Sequence, residues 1–265
     1  MNGEIRIEEI RMERLTSPEI ARALAAGFDT AVVAAGAVEQ HGPHLPLFMD
    51  AEHGDRLGLE VARRLGKALV APTIRVGCSE HHMAFAGTVS LSPGTFLAVC
   101  ADYCSSLARH GFRRICLVPT HGGNFKPLQE GLDALNEAAG ARCSVEAYTD
   151  LMEVIDVWRE VSEREAGLGE RVGGHADVAE TSVMLAMHPG LVREELAVAG
   201  YAPSADPDAR AELVERIIAD GFATVTPTGI LGDARGGTAE LGEALIAALA
   251  DVVAGRLDNE DRGNR

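Results

Sequence analysis

The sequence predicts an α/β protein of three layers, α/β/α, with a mostly parallel central sheet. Two observations carry that prediction. Short apolar runs rich in β-branched residues, at 30–35, 68–74, 114–119 and 144–148, alternate with amphipathic segments of helical spacing. The runs lack polar alternation, as expected of strands buried on both faces. Strand, helix, strand repeated along a chain folds into parallel strands joined by covering helices.

Taken in order, Thr16-Ser17-Pro18-Glu19 supplies a cap, a first-turn proline and an early acid, and Gly27 supplies a stop, so a helix precedes the first strand. A helix over 55–65 carries Leu57, Val61 and Leu65 on one face. The next, over 93–110, opens at Ser92-Pro93 and carries Phe96, Cys100, Cys104 and Leu107; a third, over 125–139, carries Leu128, Leu132 and Leu135. After Gly173-Gly174 a helix runs over about 176–187 until His188-Pro189-Gly190 ends it, and 209–223 and 238–254 are helical in pattern. The chain of 265 residues, 46% hydrophobic, is long enough for one domain over 1–255, with a charged, frayed tail at 256–265.

A net charge of −16 repels phosphate backbones, which excludes nucleic acid as an expected partner. No run approaches the roughly 20 apolar residues of a membrane helix, and residues 1–14 alternate charge with Ile and Met, unlike a signal peptide. A cytoplasmic protein without a membrane partner is expected. The five cysteines are odd in number and form no Cys-x-x-Cys pair, so they read as buried thiols and not as disulfides or zinc thiolates.

Ligands of parallel sheets bind outside the carboxyl ends of strands. The loops there, at 36–50, 75–92, 120–124 and 149–150, hold the unusual residues. Prolines and glycines keep 36–46 from being helical. In an extended backbone Glu39 and His41 then face one side while Gln40 points away. Asp50 falls just before a helix, where it reads equally as an N-cap. His121, in Thr120-His121-Gly122-Gly123-Asn124, follows its strand directly, and that pattern fits a ligand, a tight turn or a backbone anion nest. His175 and the helix-borne Glu180 complete the set. Carboxylate oxygen and imidazole nitrogen together suit a divalent cation. Two such ions against Glu39, Asp50 and Glu180 would leave one positive charge, which suits activation of water for hydrolysis.

The segments Gly36-Ala37-Val38-Glu39-Gln40-His41-Gly42, Asp50, Gly87-Thr88-Val89-Ser90-Leu91, His121-Gly122-Gly123-Asn124 and His175 through Glu180-Thr181-Ser182 resemble, in order, the motifs of the creatininase family. The resemblance spans roughly 31–191, with a weaker echo at 229–242. It implies a creatininase-like α/β/α fold and one or two divalent ions (zinc, manganese or iron). It also implies hydrolysis of amide-type C–N bonds in small, often cyclic, substrates, and a homo-oligomer, commonly a hexamer. Carried over by position, Glu39, Asp50 and His121 would hold one ion, His41 and a bridging Asp50 the other, and His175 would shuttle a proton. His82 matches a family histidine placed to touch substrate or a neighbouring subunit.

Two features depart from creatinine-cleaving members, a ligand position and a substrate cage. Gly123 stands where they carry a ligand glutamate, and Glu180 is the candidate replacement. Five residues on a helix turn through about 140°, so His175 must then lie at or before the helix start. Thr149 and Arg171 stand near the positions of a tryptophan cage, and the one tryptophan is Trp158. Creatinine is therefore not the expected substrate, and Arg171 is a candidate for recognising carboxylate or phosphate. His44 and His53 read as surface or capping groups, and His110 and His188 as helix-end residues. Rivals are a formamide deformylase, a peptidase of a peptide-derived cofactor precursor, a hydrolase opening an oxidised cyclic polyol, and a non-catalytic metal-binding oligomeric scaffold.

Overall fold

A computed structural model describes residues 8–204 and 206–263. Its main sheet contains β1 (Thr30–Ala35), β2 (Ala68–Val70), β3 (Arg114–Pro119) and β4 (Ser144–Ala147), in the order β2-β1-β3-β4. All three pairings are parallel, with Thr30 opposite both Ala68 and Arg114, and Arg114 opposite Ser144. Successive side chains of β1 go to opposite faces. Val32 enters one core with Leu57, Trp158, Val183 and Leu245. Ala31, Val33 and Ala35 enter the other with Phe96, Leu128 and Leu135. A sheet buried on both faces explains why its strands lack polar alternation.

One covering layer is formed by α1 (Ser17–Ala25), α3 (Pro93–His110) and α4 (Gly122–Ala139); the other by α2 (Met49–Leu65), α5 (Leu151–Ala166), α6 (Val178–Met187) and α8 (Ala239–Gly263). The capping signal at α1 operates as read, because the Glu19 carboxylate accepts from the Thr16 amide and hydroxyl, both at 2.7 Å. A two-stranded antiparallel ribbon, β5 (Val172–His175) and β6 (Leu231–Gly232), stands beside the sheet, and α7 (Pro207–Asp220) lies between them in the chain.

Several boundaries differ from the sequence reading. β2 stops at Val70, since Pro72 lacks the amide that a ladder requires, and Ile74 rejoins through one bridge to Ala35. α2 begins at Met49, which puts Asp50 inside the first turn instead of before it. α4 begins at Gly122, so the two glycines start a helix and do not make a separate turn. α6 begins at Val178, because His175 closes β5 and Ala176 takes a left-handed φ of 52°. α5, β5 and β6 are additional elements. α8 runs past the expected tail boundary to Gly263; Leu257 is buried and Arg256 pairs with Glu153 at 2.5 Å. Residues 264–265 lie outside the described residues. All five cysteines are buried, and no disulfide forms among the described residues. Among the described residues no helix is long and apolar enough to cross a membrane.

Candidate metal centre

Five chain segments deliver donors to one buried spot. Glu39 and His41 come from the loop after β1, Asp50 from the first turn of α2 and His121 from the end of β3. His175 closes β5 and Glu180 projects from the first turn of α6, so the 140° difficulty does not arise. All six are no more than 7% exposed. Asp50 Oδ1 lies 3.3 Å from His41 Nε2, and its Oδ2 lies 3.4 Å from His121 Nδ1. His121 Nδ1 is also 3.2 Å from Glu39 Oε1, and His41 Nε2 is 3.6 Å from Glu180 Oε2.

Each of three imidazoles is oriented by a backbone carbonyl. His41 Nδ1–H donates to Glu39 O at 3.1 Å, His121 Nε2–H to Cys78 O at 3.0 Å, and His175 Nε2–H to Gln40 O at 2.9 Å. The other ring nitrogen in each case faces the carboxylates, with His175 Nδ1 3.9 Å from Glu39 and 4.0 Å from Glu180. Carbonyl-anchored imidazoles of this kind are the usual outer support of metal-ligating histidines. The turn that aims His175 and Glu180 is held by Asp177, which caps α6 through Ala179 N at 2.8 Å and accepts from Gly173 N at 2.7 Å and Gly174 N at 2.8 Å. Glu180 itself accepts from Ala176 N.

The electrostatics are those of a concentrated negative site. Burial pulls His41 down, but Asp50 and Glu180 outweigh it and raise its pKa to about 10. Burial also opposes protonation of His121, yet Glu39 and Asp50 hold it well above the usual value. Asp50 is correspondingly held low: burial acts against it, and His41 and His121 prevail. Burial dominates at Glu180, pushed up to about 8, and at His175 and His82, both pulled well below the usual imidazole value. The charge that draws protons onto His41 and His121 would equally draw a dication. Among the described residues, Glu39 Oε2, His41 Nε2 and Asp50 Oδ2 are buried with no hydrogen-bond partner, and four donor triads have their ligand atoms within 4.8 Å of one another. Unpaired buried donors of this kind are costly unless a cation completes them, so the residues fit a divalent ion.

The chain matches the creatininase family profile, described as creatinine amidohydrolase, over residues 13–257. It is 30% identical over 236 residues to the mycofactocin precursor peptide peptidase of Mycolicibacterium smegmatis, covering 85% of this chain and 83% of the relative. It is 31% identical over 257 residues to the creatinine amidohydrolase of Pseudomonas putida, covering 93% and 95%. The chain belongs to the creatininase family. A solved creatininase variant described as Zn-Zn type superposes with a TM-score of 0.75 at 27% identity, covering 96% of this chain and 99% of that one. Membership bears out the α/β/α class and the hydrolase class read from the motifs.

Within this creatininase-family frame, Gly123 admits no side chain. An added Cβ would lie 2.0 Å from Cys78 O and 2.9 Å from His81 Cε1. The His81 ring thus occupies the space beside Gly123, stacked on His121 at 5.5 Å. Gly123→Ala is expected to cost about 1–3 kcal/mol, read as a lowered denaturant midpoint, and Gly123→Glu to bind no additional metal; unchanged stability would contradict the close packing.

Gln40 does not point away as the strand alternation implied. Its buried Nε2 donates to His82 Nδ1 at 2.9 Å and to Gly229 O at 3.1 Å, which leaves His82 Nε2–H 3.3 Å from Glu39. His82 therefore reaches the donor cluster itself and also lines the adjoining cavity. Gln40→Glu keeps the shape but loses the N–H groups, and activity is expected to fall about 10- to 100-fold with KM unchanged; a wild-type kcat would remove the positioning role.

Arg171 stands apart from the cluster, half-exposed, donating to Arg235 O at 2.8 Å and lining no part of the cavity. His44 and His53, read as surface or capping groups, are both buried. His44 pairs with Thr181 Oγ1 at 2.8 Å, and His53 lines the cavity, where burial lowers its pKa to about 4. The cavity, of about 100 Å³, is lined by five of the six donors, all but His41, and by Leu57, Phe125, Tyr148 and Trp158.

Proposed function

We propose that this protein hydrolyses the amide-type C–N bond of a small substrate, using one or two divalent ions held by Glu39, His41, Asp50, His121 and Glu180. The observation that carries the reading is the convergence of five segments on buried, carbonyl-oriented donors beside an apolar cavity. Asp50 presents one oxygen to each of His41 and His121, so it would help to hold an ion beside either histidine. A divalent ion there supplies Lewis acidity toward a carbonyl oxygen and lowers the pKa of water.

The chain's own residues supply the rest. His175, its Nε2–H fixed on Gln40 O, keeps Nδ1 free to receive a proton and to deliver it to the leaving nitrogen. The apolar wall excludes water and strengthens each charge interaction inside. Zinc, manganese and iron all suit this nitrogen and oxygen donor set. Creatinine is disfavoured by Thr149 and Arg171 in the cage positions, and a short peptide-type amide is favoured by the apolar wall and by the peptidase relative.

The decisive experiment is turnover across hydantoin, lactam, formamide and short-peptide panels, before and after chelation and reconstitution. Metal-dependent release of amine from one class supports the reading, and activity unaffected by complete metal removal contradicts it. We also propose a cytoplasmic homo-oligomer, commonly a hexamer in this family. Leu191, Leu196, Val198 and Tyr201 are 40–42% exposed along one segment, and such apolar exposure suits self-association. Light scattering should give six times the 28.0 kDa chain mass.

A further inference from the structure

The inner wall of the cavity contains two polar groups that the proposed chemistry leaves unused. His53 is 2% exposed and Trp158 is 4% exposed, and their ring centroids are 5.4 Å apart. Both line the cavity, set among Leu57, Phe125, Leu151 and Val154. His53 Nδ1, His53 Nε2 and Trp158 Nε1 have no hydrogen-bond partner among the described residues. Each such atom costs about 1–3 kcal/mol if left unsatisfied, and an apolar residue of the same size would remove that cost. Packing alone therefore gives no reason for a histidine here.

Hydrogen-bond capacity narrows what would complete the pair. An indole N–H only donates, whereas a neutral imidazole offers one donor and one acceptor. The complementary group must both accept and donate, as a hydroxyl or a primary carboxamide does; a carboxylate returns no donor and a hydrocarbon returns nothing. Size narrows it further, because a cavity of about 100 Å³ is smaller than the roughly 150 Å³ apolar cavity that takes a benzene ring. Position fixes the reach. His53 follows Asp50 by three residues on α2, so the two share a face with Cβ atoms about 5–6 Å apart.

We infer that His53 and Trp158 form a specificity pocket for a short apolar arm of the substrate that ends in a neutral donor–acceptor group, about one helical turn from the bond cleaved. The statement that the arm belongs to an amide rests on the hydrolase reading; the pocket itself does not.

Trp158 is the chain's single tryptophan, so its fluorescence reports this site alone. The zinc-loaded protein is titrated with propan-1-ol and, separately, with propanamide, both smaller than a benzene ring and neither absorbing where indole is excited. A saturable change in Trp158 emission is expected with at least one probe, and the one that acts identifies the end group as hydroxyl or carboxamide. In His53→Leu the midpoint should rise about tenfold or more, as for loss of a buried hydrogen bond, while the melting temperature stays level or rises. His53→Gln should recover part of the affinity. Emission silent to both probes, equal binding by His53→Leu, or a His53→Leu melting temperature well below wild type would each overturn the inference, the last by making His53 structural. Should His53→Leu fail to fold, that too assigns a structural role. Probe binding in a protein that hydrolyses no amide would refute the activity and leave the pocket standing; turnover with silent emission would do the reverse.

Discussion

Asp50→Ala is expected to lose its metal and its turnover together. Asp50 is 2% exposed and, among the described residues, is the one carboxylate whose two oxygens each face a different histidine, at 3.3 and 3.4 Å. No neighbouring group can replace it, because Glu39 already faces His121 and Glu180 is tied to the Ala176 amide. Outer partners of metal ligands are commonly worth about 10- to 100-fold in affinity, so loss of a shared carboxylate should exceed that range. Elemental analysis after dialysis should find little metal in the variant. Its backbone should still fold, since alanine is well accepted in the first turn of α2 and the strands β1 and β3 rest on apolar burial. Full turnover by Asp50→Ala would remove it from the site.

The second large effect is the opposite combination. His175→Ala should keep its metal content while kcat falls about 10²- to 10⁴-fold, the range for loss of a general acid–base group. The imidazole is buried and held through Nε2–H to Gln40 O, and Nδ1 stands 3.9 Å from Glu39 and 4.0 Å from Glu180. It thus stands farther from the carboxylates than His41 and His121 do, at 3.3 and 3.2 Å. Burial holds its pKa well below the usual imidazole value and keeps it neutral. Metal loss in this variant would instead make His175 a ligand, and unchanged kcat would deny it the proton.

The strands were the most legible part of the chain. The ranges 30–35 and 114–119 agree with β1 and β3 because burial on both faces excludes polar residues. Legibility failed where function occupies inward positions. Asp50 and His53 take the core-facing places in the first turns of α2, so the apolar period appears only from Leu57 and the helix reads as starting too late. Had the helix been started at Met49, the spacing 50, 53, 57 and 61 would have put His53 indoors. Gln40 was misplaced because period-2 alternation assumes a straight strand. Here the chain turns at Gly42, with φ of 63°, and the Gln40 carbonyl and amide both turn toward His175 and His82. β5 was hidden by Gly173 and Gly174, which have no strand preference and are fixed instead by Asp177. The first-motif residues and His121 were legible as candidates, but the stacking of His81 on His121 and the cavity wall from α5 depend on contacts between distant segments that no local pattern carries.

The central claim is that these separated side chains enclose a divalent ion. Crystals of the zinc-loaded protein, measured on both sides of the zinc absorption edge, test it most directly. The account predicts an element-specific anomalous peak bounded by Glu39, His41, Asp50, His121 and Glu180. Full zinc occupancy elsewhere, with no peak among those five residues, would contradict it.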